Sequence, residues 1–228
     1  KRSDLQAVSD NELNKPYDLL KKVSNWRRFY AVINAASVFM EKAPRTVELD
    51  RSYSEQNLKY DIAQVRALRA FAYFYMVRIW EDVPLVTYSY DNGTFPSMPR
   101  TDAQTVLSYA KAELLTAIED LPYQYGTQTN LYYGSYGAQW QGKLFNKLSA
   151  YSVLAHICAW QGNYAEAETY SAFIIDHASE INAKYTSIAD LTSETGLFYS
   201  NASVKGSRIL GFNFAHNDNE ATQSGHLE

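Results

Sequence analysis

Apolar residues recur at three- and four-residue steps over most of this chain, and that spacing predicts helices. From about Pro16 to Ala43 the positions Trp26, Phe29, Tyr30, Ile33, Ala36 and Val38 follow it, and Pro44, which cannot continue a helix, ends the segment. A second helix is predicted from about Ser54 to Trp80, with Ile62, Val65, Leu68, Ala72, Tyr75 and Ile79 along one face. Val83-Pro84-Leu85-Val86 breaks the period, and the turn formers Asp91-Asn92-Gly93-Thr94-Phe95-Pro96 follow. A third helix opens at the N-cap candidates Thr101 or Asp102 and runs to Leu121, before Pro122. From Tyr123 to Gln141 the chain carries three Gly and no helical period. A fourth helix spans about Lys143 to Trp160, closed by Gly162-Asn163, and a fifth spans about Tyr164 to Ala178. Arg208 to Phe214 alternates as a short strand would, and the polar tail Asn217 to Glu228 reads as a loop.

Paired helices invite comparison with a tetratricopeptide repeat, whose small residues allow close helix–helix approach. Tyr151-Ser152-Val153-Leu154-Ala155-His156-Ile157-Cys158 fits the first helix of that template. Ala167 falls twelve residues after Ala155 as the template asks, and Ser171 is a mismatch. Ala110, Leu114 and Pro122 fit a second half-repeat, and the helix holding Ala70 and Tyr73 supplies its first half. The expected fold class is mainly α, built of tetratricopeptide-like helix pairs (an α–α superhelix), with long irregular loops and one or two short strands.

Composition narrows the function. The chain has 228 residues, 21 basic and 25 acidic side chains, and a net charge of −4. That balance offers no phosphate-neutralising surface, so nucleic acid is not an expected partner. Hydrophobic residues make up 46%, too many for a disordered chain, yet no run approaches the roughly 18 apolar residues of a bilayer span. The single cysteine, Cys158, excludes a disulfide framework and a cysteine-based zinc site. The histidines His156, His177, His216 and His226 are scattered, without metal spacing or a nucleophile elbow. His156 and Cys158 stand two apart on a helix and so face different directions. No catalytic residue, metal ligand or cofactor site is expected. Asp91-Asn92-Gly93 reads as a turn, since the rest of a calcium-loop pattern is missing. Arg66 and Arg69, three apart, read either as a binding clamp or as ion-paired supports of helix packing. Asp82 reads as a residue that orients the turn after its helix.

Tyrosine is over-used, with 19 Tyr against 10 Phe and 4 Trp. Six aromatics crowd one loop, Tyr123, Tyr125, Tyr132, Tyr133, Tyr136 and Trp140, mixed with Gln124, Gln128, Asn130 and Gln139. Flat aromatic faces cover the apolar C–H faces of sugar rings, and amides or phenols satisfy the hydroxyls around them. These six are the candidate ligand-binding residues; the alternative is that Tyr132, Tyr133 and Trp140 only pack the loop onto the helices. Tyr88, Tyr90 and Phe95 form a second aromatic group.

Four landmarks in order resemble the SusD/RagB family. The first is Arg66-Ala67-Leu68-Arg69-Ala70-Phe71-Ala72-Tyr73-Phe74-Tyr75-Met76-Val77-Arg78 followed by Glu81-Asp82-Val83-Pro84-Leu85-Val86. The second is Gly142-x4-Lys147-x2-Ala150, leading to Trp160-Gln161-Gly162-Asn163-Tyr164-Ala165-Glu166-Ala167. Trp26-x3-Tyr30-x2-Ile33-Asn34 is a third, and Ser207-Arg208-Ile209-Leu210-Gly211-Phe212 a fourth. The resemblance implies an outer-membrane lipoprotein of Bacteroidetes-type bacteria, surface-exposed and not an enzyme. It would capture oligo- or polysaccharide or another nutrient and pass it to a TonB-dependent, SusC-like transporter, touching the membrane only through a lipid anchor. The alternative is a helical-repeat scaffold whose only ligands are proteins. Glu81 stands where the family has Gly. On this reading residues 1–228 are one SusD-like helical-repeat domain, without the family's N-terminal lipid-anchor segment and C-terminal ligand-binding part.

Overall fold

The structure is a computed structural model that describes residues 2–10, 12, 15–90, 96–125, 142–183, 188 and 209–211. It is mainly helical: α1 (Ser3–Ser9), α2 (Asp18–Val23), α3 (Arg27–Lys42), α4 (Pro44–Leu49), α5 (Glu55–Trp80), α6 (Ala103–Asp120), α7 (Lys147–Trp160) and α8 (Tyr164–Asp176). A 3-10 turn, Ala178–Ile181, follows α8. Two compact units emerge, one of Lys1–Arg51 with Val65–Thr116, the other of Ser52–Gln64 with Ala117–Glu228.

The helix starts follow capping chemistry. Ser54 Oγ accepts from Asn57 N–H at 3.2 Å ahead of α5, and Asp102 Oδ1 accepts from Thr105 N–H at 2.9 Å ahead of α6. Asn146 and Ser149 form a reciprocal box, each side chain accepting the other's backbone N–H at 2.8 Å. That box starts α7 at Lys147, not near Lys143, and Gly142 just before it lies at φ +73°, a conformation that suits Gly.

Several sequence expectations are corrected. The segment from Pro16 to Ala43 is two helices, α2 and α3, and Asn25 Oδ1 accepts Arg27 N–H at 3.0 Å in the break between them. Pro44 does not stop the chain from turning helically; it is the first residue of α4, where a missing N–H has no cost. The face expected on α5 is also wrong in part. Tyr75 and Ile79 are exposed, and the fully buried positions include Ala67, Ala70, Tyr73 and Met76. The last half of α5 is apolar nearly all round, so its period does not single out a face. Among the described residues there is no strand ladder, only an isolated antiparallel bridge between Val83 and Thr101. Of the strand expected over 208–214, Ile209 to Gly211 are described and form a bend, with Gly211 N–H donating to Gly142 O at 2.8 Å.

The first unit buries Ile33, Leu107, Ala110 and Leu114 with the inner side of α5. At its centre lies an ionic knot. Arg66 Nη1 reaches Glu113 Oε1 at 2.7 Å, Arg69 Nε reaches Glu113 Oε2 at 3.1 Å, and Arg69 Nη1 donates to Ser37 Oγ at 2.9 Å. Arg69 and Glu113 are both buried, and the Tyr109 ring lies 5.7 Å from the Arg69 guanidinium. Ion-paired support is therefore what the two arginines provide. Asp82 Oδ1 accepts Ala103 N–H at 2.9 Å and orients the start of α6.

In the second unit α7 and α8 pack on one another as a hairpin, turning at Gly162 with φ +79°. Leu148, Leu154, Ile157 and Cys158 fill its core, and His156 is exposed, so the histidine and the thiol lie in different environments. Asn163 caps α8 with Glu166, whose other carboxylate oxygen accepts the Tyr170 O–H at 2.8 Å. Glu166 is thus a capping group.

Candidate functional site

Two of the six predicted ligand residues, Tyr123 and Tyr125, are described; Tyr132, Tyr133, Tyr136 and Trp140 lie outside the described residues. Tyr125 is buried, with its ring edge-on to Tyr60 at 6.3 Å between centroids. Its hydroxyl donates to Phe145 O at 2.8 Å and accepts from the Gln64 amide. Gln64 in turn accepts Phe145 N–H at 2.8 Å and donates to Phe145 O. Burial drives the Tyr125 phenol well above its ordinary pKa. Ring and hydroxyl are both committed to this junction, so Tyr125 acts as a packing residue that anchors the beginning of the loop.

Tyr123 ends a column of rings. Tyr151 stacks on Phe173 at 4.1 Å, Phe173 on His177 at 4.0 Å, and His177 on Tyr123 at 5.8 Å with planes 7° apart. His177 Nδ1 lies 2.9 Å from Phe173 O, and Lys147 Nζ sits 5.5 Å from the Tyr123 centroid. The adjacent Gln124 amide donates to Glu180 O. Tyr123 remains half-exposed, and partial burial, with the Glu180 charge behind it, raises its phenol pKa. The loop therefore leaves a rigid base: two tyrosines, one inside and one at the surface, fixed by α7, α8 and the turn after them.

The first unit holds an element that sequence periodicity does not reveal. The strip from Val83 to Tyr90 is secured by side chains as well as by its bridge to Thr101. Tyr30 donates its hydroxyl to Pro84 O at 2.6 Å, and the Tyr73 hydroxyl both donates to Val86 O and accepts Val86 N–H, each at 2.8 Å. Arg69 reaches Thr87 O at 3.4 Å. Glu41 accepts Ser89 N–H at 3.0 Å and the Ser89 hydroxyl at 2.5 Å. The Asn34 amide takes both backbone groups of Tyr90, at 2.7 Å and 3.0 Å. The only local signals of this element are the Pro84 break and the tyrosine spacing; its side-chain partners lie in α5, 13 to 18 residues away, and in α3, 48 to 56 residues away. Its end carries Tyr88 and Tyr90, with ring centroids 5.0 Å apart, planes at 49°, and Tyr90 donating its hydroxyl to Tyr88 at 2.6 Å. Phe95 lies outside the described residues, as does the turn or calcium-loop candidate at Asp91.

Among the described residues no group of three or more His, Cys, Asp or Glu side chains is placed to hold a metal ion. No described helix is long and apolar enough to cross a membrane.

No protein-family model matches the chain. It is 29% identical over 147 residues to SusD-like protein P38 of Formosa agariphila, which covers 63% of this chain and 24% of that protein. A solved laminarin-binding SusD-like protein shares its fold with a TM-score of 0.54 at 25% identity, over 72% of this chain and 31% of the other. A structure solved with a xylogluco-oligosaccharide has a TM-score of 0.56 at 22% identity, over 75% of this chain and 32% of the other. The chain thus spans about a quarter of the length of the curated relative and about a third of each solved chain.

Proposed function

We propose, proceeding from a chain that is SusD-like in sequence and in fold, that it serves as a non-catalytic glycan-binding component of a nutrient-uptake system at the outer membrane. The observation that carries the reading is the likeness to a laminarin-binding SusD-like protein at 25% identity and TM-score 0.54. A solved neighbour bound to a xylogluco-oligosaccharide supports the same ligand class. Capture is by stacking: aromatic faces cover the C–H faces of sugar rings, with amides and phenols meeting their hydroxyls. The proposed contact surface is the loop beyond Tyr125, with Tyr132, Tyr133, Tyr136 and Trp140, and the half-exposed Tyr123 at its base. Bound glycan is then handed to a SusC-like TonB-dependent transporter, and the protein is held at the membrane as a lipoprotein.

The test is titration of the chain with laminarin and xyloglucan oligosaccharides, followed by tryptophan fluorescence and by retardation in glycan-containing gels. A Tyr136→Ala, Trp140→Ala double variant is expected to bind about tenfold or more weakly, the loss of two stacked rings. Equal binding by the variant overturns the site; absence of binding to any glycan overturns the function.

A second reading, a docking scaffold for the transporter, is favoured by one observation. Trp160, Tyr164 and Ile175 of the α7–α8 hairpin are 54%, 72% and 57% exposed. Co-purification of a SusC-like transporter with a chain that binds no glycan would select it.

A further inference from the structure

Most exposed large apolar side chains of the described residues stand on helices, and some are covered by neighbours on the same helix. Tyr75, for example, has Phe71 at 4.6 Å and the Arg78 guanidinium at 5.1 Å. Tyr88 is different. It is 53% exposed on an extended strip outside any helix.

The segment that carries it is over-constrained for a surface strip. Glu41 uses both carboxylate oxygens on Ser89, and Asn34 uses both ends of its amide on Tyr90. Four hydrogen bonds thus hold the two residues after Tyr88 against α3. The Tyr90 hydroxyl holds Tyr88 from the side, so the exposed ring is braced both through the backbone and through its own oxygen. Partial burial and the Tyr88 oxygen push the Tyr90 phenol up to about 12, so Tyr90 keeps the proton it donates at physiological pH. Ordering a flexible aromatic on binding costs rotamer freedom; here the fold has already met that cost.

We propose that Tyr88 and Tyr90 form a second, preorganised carbohydrate platform, separate from the loop after Tyr125 and contacting one sugar unit. The inference rests on the glycan-binding reading above, which supplies the ligand class. The rings touch at 5.0 Å, so they make one continuous surface and not two stations along a polymer. With planes 49° apart, the pair offers an area suited to the C–H face of one pyranose ring. Tyr90 donates its proton to Tyr88, which leaves the Tyr88 O–H to donate to a sugar hydroxyl at the rim. One such contact is weak alone and gains its effect when the same glycan is held at another point of the protein.

The experiment uses the whole 228-residue chain. Laminarin and xyloglucan oligosaccharides are titrated calorimetrically into the wild type, into Tyr88→Ala, and into Tyr136→Ala, Trp140→Ala. For a glycan that the wild type binds, Tyr88→Ala is expected to weaken binding roughly fivefold or more, about one stacked ring. Nitration of the wild type by tetranitromethane, read by mass spectrometry, is expected to slow at Tyr88 when that glycan is present. Unchanged affinity and unchanged nitration overturn the platform and leave the glycan-binding function standing. If Tyr88→Ala does not fold, the nitration rate alone decides. If the wild type binds no glycan, the function and the platform fall together.

Discussion

Glu113 takes hydrogen bonds from two guanidinium groups while itself buried, and the two arginines have no other carboxylate in the contacts that define the knot. A buried ion pair contributes little net stability compared with an apolar replacement, but removing one partner leaves uncompensated charge inside. Glu113→Ala is therefore expected to lower the unfolding free energy by about 3–5 kcal/mol, read as a shift of the urea midpoint. A shift below about 1 kcal/mol would mean that water reaches the arginines freely. The spacing of Arg66 and Arg69 was legible in the sequence, and so was the possibility of ion pairing. The identity of the partner was not, because Glu113 lies 47 and 44 positions away and nothing local marks it. Tyr125 teaches the same lesson in reverse. In the sequence it is one of six tyrosine and tryptophan residues in a polar loop; only the fold brings Gln64 and Phe145 to its hydroxyl and turns it inward.

At the scale of elements, helix starts were legible at the caps Ser54, Asp102 and Asn163, while the Asn146–Ser149 box went unread. They were misread where a residue has two meanings, such as Pro44, which ends one helix and begins another equally well. Glu81 bears directly on such a junction. It closes α5, its N–H donating to Val77 O at 2.9 Å, with φ +57°. A non-glycine residue there carries roughly 1–2 kcal/mol of steric cost, while a glycine would add about 1 kcal/mol of freedom to the unfolded chain. Glu81→Gly is thus expected to be neutral or to stabilise by up to about 1 kcal/mol, in contrast to the loss of about 1 kcal/mol usual for glycine within a helix. Thermal melting of the variant checks it, and a clear drop in midpoint would refute the argument. Glu81 stands where the pattern that the first landmark resembles has Gly, and the positive φ gives that Gly a physical reason.

For the molecule as a whole, buried phenols set the alkaline limit. Tyr30, Tyr73 and Tyr109 in the first unit and Tyr125 in the second all have raised pKa values, with burial the main cause; Tyr109 reaches about 12. In the unfolded chain they titrate near 10. Below that pH both states are protonated and the stabilisation is complete; above it the unfolded chain loses protons first, and stability falls. The slope is up to about 1.4 kcal/mol per pH unit for each such tyrosine. Urea midpoints are expected to hold steady from pH 7 to 9 and to fall steeply by pH 11, and a flat profile would show that these hydroxyls ionise in the folded state. The sequence conveyed the helical class and the family landmarks, because both are written in local patterns. It did not convey the side-chain scaffolding of Val83 to Tyr90, whose partners come from other helices. That scaffolding has a consequence for solubility. An extended segment outside a sheet ordinarily offers its amides and carbonyls to any passing chain, the first step in edge-to-edge aggregation. Here Thr101, Tyr30, Tyr73, Arg69, Glu41 and Asn34 engage backbone groups of Val83, Pro84, Val86, Thr87, Ser89 and Tyr90, so the segment can display Tyr88 to solvent with much of its backbone already occupied.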